Sequence, residues 1–175
     1  MYNQDTITKA WFFASVAHKT QLYPTQKLPY ITHIGNVMME VMGVVSTLKN
    51  AELSIICAIL HDTIEDTKVT YDELVAEFGE EVAKGVLALS KNEKLPTKKE
   101  QMLDSLKRIK QQPQDVWLVK MADRIANLGK PPLHWNKEKI KNYRDEAKLI
   151  LEYLKESNEA LAQRLAQKIE DYQVY

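Results

Sequence analysis

Eight consecutive residues, Leu53-Ser-Ile-Ile-Cys-Ala-Ile-Leu60, present an apolar or small side chain nearly all round a helix. Such a segment is not half in water; other elements must bury it on several faces. What can do so is limited by the rest of the chain, which has five glycines, six prolines and no alternating stretch bounded by turn pairs. Nearly every long segment reads with helical period, so the expected fold is all-α, a helical bundle. At 175 residues, 45% of them hydrophobic, the chain can bury one sizeable core and is short for two independent enzymatic domains. One domain over residues 1–175 is expected.

The first helix is predicted over residues 5–20. Two prolines disfavour its continuation through Leu22-Tyr-Pro-Thr-Gln-Lys-Leu-Pro29. A second helix starts near Thr32 and carries Val37, Met38, Val41, Val44, Val45 and Leu48; a third covers residues 51–62 or slightly beyond. Thr70 followed by Glu73 is a capping-box signature opening a short amphipathic helix through Phe78, which Gly79 ends. Residues 80–89 form the next helix, and a polar stretch with Pro96 leads into another over 97–110. Pro113 suits the first turn of a helix through Leu128, stopped by Gly129-Lys-Pro-Pro132; two amphipathic helices, roughly 136–156 and 158–172, complete the chain.

Lysines plus arginines balance aspartates plus glutamates at 24 each, so no global field draws the chain to nucleic acid or to an acidic membrane. Any polyanion must be met by local clusters. The single cysteine, Cys57, lies inside the apolar run and reads as a small buried hydrophobe, which favours a reducing compartment. No basic segment followed by an apolar one opens the chain, and no window approaches ~20 uninterrupted apolar residues. A cytoplasmic location is expected; the sequence does not indicate an oligomeric state.

The apolar run ends in His61-Asp-Thr-Ile-Glu-Asp-Thr67, one imidazole and three carboxylates where a helix macrodipole is negative. That placement asks for a cation. Glu65 shares a helical face with His61 and Asp62, and Asp66 stacks one turn beyond Asp62. His33, near a helix start, and Asp123, on a largely apolar helix, would complete a set of two imidazoles and two carboxylates suited to Mn²⁺, Fe²⁺ or Zn²⁺. Each residue also has a plainer reading: His33 as a helix-start residue, Asp123 paired with Arg124, His61 capping carbonyls, Glu65 and Asp66 as a solvated helix end. The carboxylate cluster is the part these readings explain least.

The order His33, His61-Asp62, Asp123 resembles the HD superfamily of metal-dependent phosphohydrolases. Pro29-Tyr-Ile-Thr-His33, His61-Asp-Thr-Ile-Glu-Asp-Thr67 and Lys120-Met-Ala-Asp-Arg-Ile-Ala-Asn-Leu128 are similar to the hydrolase domain of RelA/SpoT proteins and to small single-domain alarmone hydrolases, over roughly residues 8–130. The resemblance implies an HD-domain bundle in which His33, His61, Asp62 and Asp123 hold one divalent metal, typically Mn²⁺, and Glu65 and Asp66 are the catalytic acidic pair. There is no histidine between Asp62 and Asp123 for a second metal. The implied activity is removal of the 3′-pyrophosphate from guanosine tetra- or pentaphosphate.

On the substrate side, Lys91, Lys120 and Arg124 are the candidate cations, Tyr23 and Tyr30 the aromatic candidates, and Asn127 matches a family position near the nucleoside. The expected partner is a small-molecule nucleotide, with neither nucleic acid nor membrane. Alarmone hydrolases commonly read Gln-x-Arg, then a glycine before Pro-Tyr. This chain has Gln21-Leu-Tyr23, then Thr25 before Pro29-Tyr30, and Leu128-Gly-Lys130 replaces Met-Arg-Thr. Tyr23 can stack on a base but supplies no charge. An HD phosphatase for another nucleotide, such as a phosphorylated nicotinamide dinucleotide or a nucleoside monophosphate, and a non-catalytic nucleotide-binding module are the alternatives.

Overall fold

The structure is a computed structural model that describes residues 2–23 and 27–175. Residues 24–26, part of the predicted proline-bearing connection, lie outside the described residues. The elements are α1 (Gln4–Ala17), α2 (Ile31–Met42), α3 (Ala51–Leu60), α4 (Thr63–Asp66), α5 (Tyr71–Phe78), α6 (Glu80–Leu89), α7 (Lys98–Ile109), α8 (Gln114–Asn127), α9 (Lys137–Leu154) and α10 (Glu159–Asp171), with three 3₁₀ turns. Among the described residues the only β pairing is the isolated bridge between Leu22 and Pro29, and no helix is long and apolar enough to cross a membrane.

Helices α2, α3 and α8 pack on one another at the centre. Against them lie α1 and α6 on α3, and α9 and α10 on α8. The apolar run behaves as its pattern requires: every residue from Leu53 to Leu60 is buried. Asn50 starts that helix by accepting the Leu53 N–H at 3.1 Å. Close approach of α6 is possible because Gly85 has no side chain; a Cβ there would sit 2.9 Å from Cys57 Sγ and 3.2 Å from Val116 Cγ2. Burial of Leu, Ile and Val side chains, each worth about 1.5–3 kcal/mol, thereby holds α1, α2, α6 and α8 around the segment that leads into the site.

The predicted capping box is present, and the structure adds a second that was not predicted. Thr70 and Glu73 open α5, and Thr97 and Glu100 open α7, each hydroxyl accepting the N–H three residues on while the glutamate reaches back. Several helix ends differ from the periodicity. The first helix stops at Ala17 rather than residue 20, because the chain tightens to three-residue bonds, Gln21 N–H to His18 O at 2.9 Å among them. Helix α2 stops at Met42; Val44 N–H bonds Val41 O at 3.1 Å, and the chain passes through the 3₁₀ turn Val45–Thr47. Pro113 is the cap before α8 instead of its first residue. Helix α9 likewise gives way to the 3₁₀ turn Lys155–Ser157 after Leu154.

Candidate metal centre and catalytic site

Helix α3 does not run on through the acidic cluster. It breaks at His61 and Asp62, and Asp62, at φ −99° and ψ 0°, becomes the cap residue of the short α4. Glu65 and Asp66 therefore belong to the first turn of α4, not to the negative end of a continuous α3. The turn itself is preserved, since Asp66 N–H bonds Asp62 O at 2.9 Å.

The break turns Asp62 toward His33 on α2 and Asp123 on α8. His61 Nε2 lies 2.9 Å from Asp62 Oδ2 and 3.8 Å from Asp123 Oδ1, while His33 Nε2 lies 3.6 Å and 3.4 Å from the same two atoms. Four candidate ligands from three packed elements thus converge, and His33, His61 and Asp62 each offer an atom within 4.8 Å of the others. His61 Nδ1 sits 2.8 Å from Ala58 O, which assigns the ring proton to Nδ1 and points the Nε2 lone pair at a carboxylate. His33 Nε2 and His61 Nε2 are buried with no hydrogen-bond partner among the described residues. Lone pairs of nitrogen and oxygen facing one another need a proton or a cation between them, and the mixed imidazole and carboxylate set fits a divalent metal.

Without a cation, protons serve. Burial disfavours charge on His33, but Asp123 and Asp62 outweigh it and raise that imidazole to about 9. His61 is raised too, with burial opposed chiefly by Asp62. Burial pushes the Asp62 and Asp123 carboxyls up, yet the imidazoles, and for Asp123 the Lys120 ammonium, hold both well below the usual carboxylate range. A raised folded-state value means that His33 stabilises the metal-free chain fully below its ordinary 6.5 and that this contribution is lost as pH rises through about 9. Metal competes for the same nitrogens, so its stabilisation grows in that window. The chelated chain should therefore melt lower at about pH 9.5 than at about pH 6.5, and added divalent metal should raise the melting temperature more at the higher pH. Thermal denaturation with and without chelator checks this; a flat or rising metal-free profile would refute it.

The surrounding groups orient the ligands. Tyr30 donates its hydroxyl to Asp62 Oδ2 at 2.7 Å, and Asn127 donates to Asp123 Oδ1 at 2.6 Å. Lys120 Nζ sits 3.2 Å from Asp123 Oδ2. Both Glu65 oxygens meet Lys91: Oε2 accepts its backbone N–H at 2.8 Å and Oε1 its ammonium at 2.9 Å. Asp66 Oδ2 accepts from Gln21 Nε2 at 2.8 Å. Tyr23 stacks on His33, ring centroids 5.5 Å apart and planes 23° apart.

Two of the expected substrate cations have other tasks. Lys120 is buried against Asp123, and Arg124, also buried, turns to α9, where it meets Glu146 Oε2 at 3.2 Å, donates to Tyr143 O and stacks on the Tyr143 ring at 4.1 Å. The helical period places Asp123 and Arg124 on adjacent faces, so when Asp123 turns inward its neighbour meets α9. Lys91 is bonded to Glu65, while Tyr23, Tyr30 and Asn127 line a cavity of about 740 Å³ that also includes Gln21, Asp66 and Trp135. Trp135 and Tyr143, in edge contact at 5.1 Å, are cavity residues that the sequence reading missed. The only local signal was an aromatic just after the Pro131-Pro132 stop and another one helical stretch later.

A buried pair of imidazoles and a pair of carboxylates meeting from three packed elements, with two further carboxylates beside them, define an all-α fold with a centre able to hold a divalent metal. The HD domain family matches residues 10–154, and the chain belongs to it. It is 40% identical over 132 residues to the GTP pyrophosphokinase of Myxococcus xanthus, and 40% identical over 131 residues to the guanosine-3′,5′-bis(diphosphate) 3′-pyrophosphohydrolase of Aquifex aeolicus. Each alignment covers 71% of this chain and 17% of the longer protein. The Danio rerio guanosine-3′,5′-bis(diphosphate) 3′-pyrophosphohydrolase MESH1 is 30% identical over 161 residues, which cover 89% of this chain and 87% of that one. A solved structure of a metazoan SpoT ortholog, described as hydrolysing ppGpp, superposes with a TM-score of 0.84 at 24% identity over 98% of this chain and 97% of the other, a likeness of fold.

Proposed function

We propose that this chain hydrolyses guanosine tetra- or pentaphosphate (ppGpp or pppGpp), breaking the bond from the 3′ oxygen to phosphorus to give GDP or GTP and pyrophosphate. The observation that carries the reading is the convergence of His33, His61, Asp62 and Asp123, with orphaned imidazole nitrogens, beside Glu65, Asp66 and an aromatic-lined cavity. One divalent metal, Mn²⁺ in our reading, would be held by those four side chains; when bound it acidifies water and neutralises charge at phosphorus. Glu65 and Asp66, one turn from the ligands, orient the attacking water and take its proton, and Lys91 and Gln21 fix the two carboxylates in position. Tyr30 and Asn127 hold Asp62 and Asp123 so that their free lone pairs face inward. The 3′ oxygen leaves with a proton. Tyr23, Tyr30 and Trp135 offer ring faces to a purine, and Lys91, paired with Glu65, is a cation available to the phosphates.

A panel of nucleotides assayed with added Mn²⁺, separately for pyrophosphate and for orthophosphate, tests this. Pyrophosphate should be released from ppGpp, with GDP as the other product. Orthophosphate from a nicotinamide dinucleotide phosphate or a nucleoside monophosphate, with ppGpp untouched, would instead make the chain an HD phosphatase of another kind.

A further inference from the structure

Beyond the metal ligands, one further buried imidazole has a single polar partner, and that partner leads to the site. His18, 2% exposed, follows the last residue of α1. Its Nδ1 lies 2.7 Å from Gln21 Oε1, and Gln21 Nε2 lies 2.8 Å from Asp66 Oδ2. A glutamine amide can be turned two ways, but only one gives an ionised Asp66 a donor: the NH₂ group faces the carboxylate and Oε1 faces His18. That orientation requires a proton on Nδ1 of His18. The other ring nitrogen, Nε2, is buried with no partner among the described residues, a cost that a leucine of similar size would avoid.

We propose that His18 positions Asp66 through Gln21 and thereby sets the turnover rate of the site. This rests on the reading that Asp66 takes part in water activation. The backbone already brings Gln21 to the right place, its N–H bonded to His18 O at 2.9 Å and its carbonyl accepting from Tyr30 N–H at 2.9 Å. What the backbone leaves open is the rotation of the amide. Burial, and after it the neighbouring Asp62, disfavour charge on Asp66; the Gln21 bond favours it, and Glu65 disfavours it in turn. With no donor behind Oε1, the amide is free to turn its oxygen toward Asp66 or swing into the cavity. The same ring packs on Tyr30, centroids 5.0 Å apart, whose hydroxyl orients Asp62.

The test uses ppGpp with Mn²⁺ and the variants His18→Leu, His18→Asn, Gln21→Met and Asp66→Asn. His18→Leu should lower kcat by about 10- to 100-fold, the scale of a misplaced catalytic group, with KM, metal content and melting temperature close to those of the unaltered chain. His18→Asn should recover most of that loss, since its Nδ2 is as many bonds from the backbone as Nδ1 of histidine. Gln21→Met, at a half-buried position, should match His18→Leu without touching the core, and adding His18→Leu to Asp66→Asn should cost nothing more. Should His18→Leu misfold, Gln21→Met alone carries the decision. A kcat within about twofold of the unaltered chain for Gln21→Met, an asparagine no better than leucine, or losses that add to Asp66→Asn would each overturn the relay. If the unaltered chain leaves ppGpp intact or Asp66→Asn is as fast as the unaltered chain, the reading beneath it fails and the relay falls too; a slow Asp66→Asn beside a fast His18→Leu fails the relay alone.

Discussion

Asp62→Asn should abolish metal binding and activity together, with a fall in kcat/KM of about 10³-fold or more, because it removes the anionic ligand shared by both imidazoles and with it several kcal/mol of charge stabilisation at phosphorus. Asp62 Oδ2 sits 2.9 Å from His61 Nε2 and accepts the Tyr30 hydroxyl at 2.7 Å. An amide oxygen in the same place can still accept from both but carries no charge to hold a cation. Asp123→Asn should lose metal as well, but with a further signature: Lys120, 6% exposed at its side chain, has its carboxylate partner 3.2 Å away. Removing that charge leaves a buried ammonium without compensation, so the melting temperature of the metal-free chain should fall for Asp123→Asn and much less for Asp62→Asn. Elemental analysis and chelated thermal melts read the two effects separately. A variant of Asp62 that retained stoichiometric metal and full activity would remove it from the ligand set.

Glu65→Gln should keep the metal and reduce kcat by roughly 10²- to 10⁴-fold, the range for losing a positioned acid or base. Both carboxylate oxygens of Glu65 are engaged by Lys91, at 2.8 and 2.9 Å, so a glutamine loses the charge and also sets its NH₂ against a donor. Lys91→Met separates those two consequences. It frees the carboxylate without neutralising it, and its loss should be smaller than that of Glu65→Gln if Glu65 reacts with water, but equal if placement is all that matters. Wild-type turnover by Glu65→Gln would leave Asp66 as the only carboxylate of the pair to act.

The position of the metal ligands in the chain was legible before any folding. A helix that is apolar all round has to be buried, and carboxylates at its end have to be compensated; His61 and Asp62 follow from that. His33 and Asp123 were readable as partners chiefly through the resemblance of the surrounding motifs to the HD superfamily, since nothing in the local sequence of α2 or α8 says which residue will face α3. Capping by Thr70 was readable for a local reason: the donor and acceptor lie three residues apart, and no other element is needed to bring them together.

What the tertiary structure alone decided is how each polar side chain near the site is used. The break after Leu60 carries Asp62 away from a straight helical path and toward residues of α2 and α8. Lys120 and Arg124 look alike as cations flanking Asp123, yet one is held by that aspartate and the other by Glu146 and Tyr143 on α9. Helical period gives the direction in which a side chain leaves its own helix; it does not say what stands there, because the partners come from elements tens of residues away whose crossing is set by core packing. The same holds for His18 and Gln21, just past α1, and Asp66 on α4, joined by two hydrogen bonds. The amino-acid sequence determined an all-α chain with a centre suited to a divalent metal at the end of its most buried helix. Packing decided which carboxylate is clamped by which donor, because a hydrogen bond needs its two atoms within about 3 Å, and only the folded chain sets that distance.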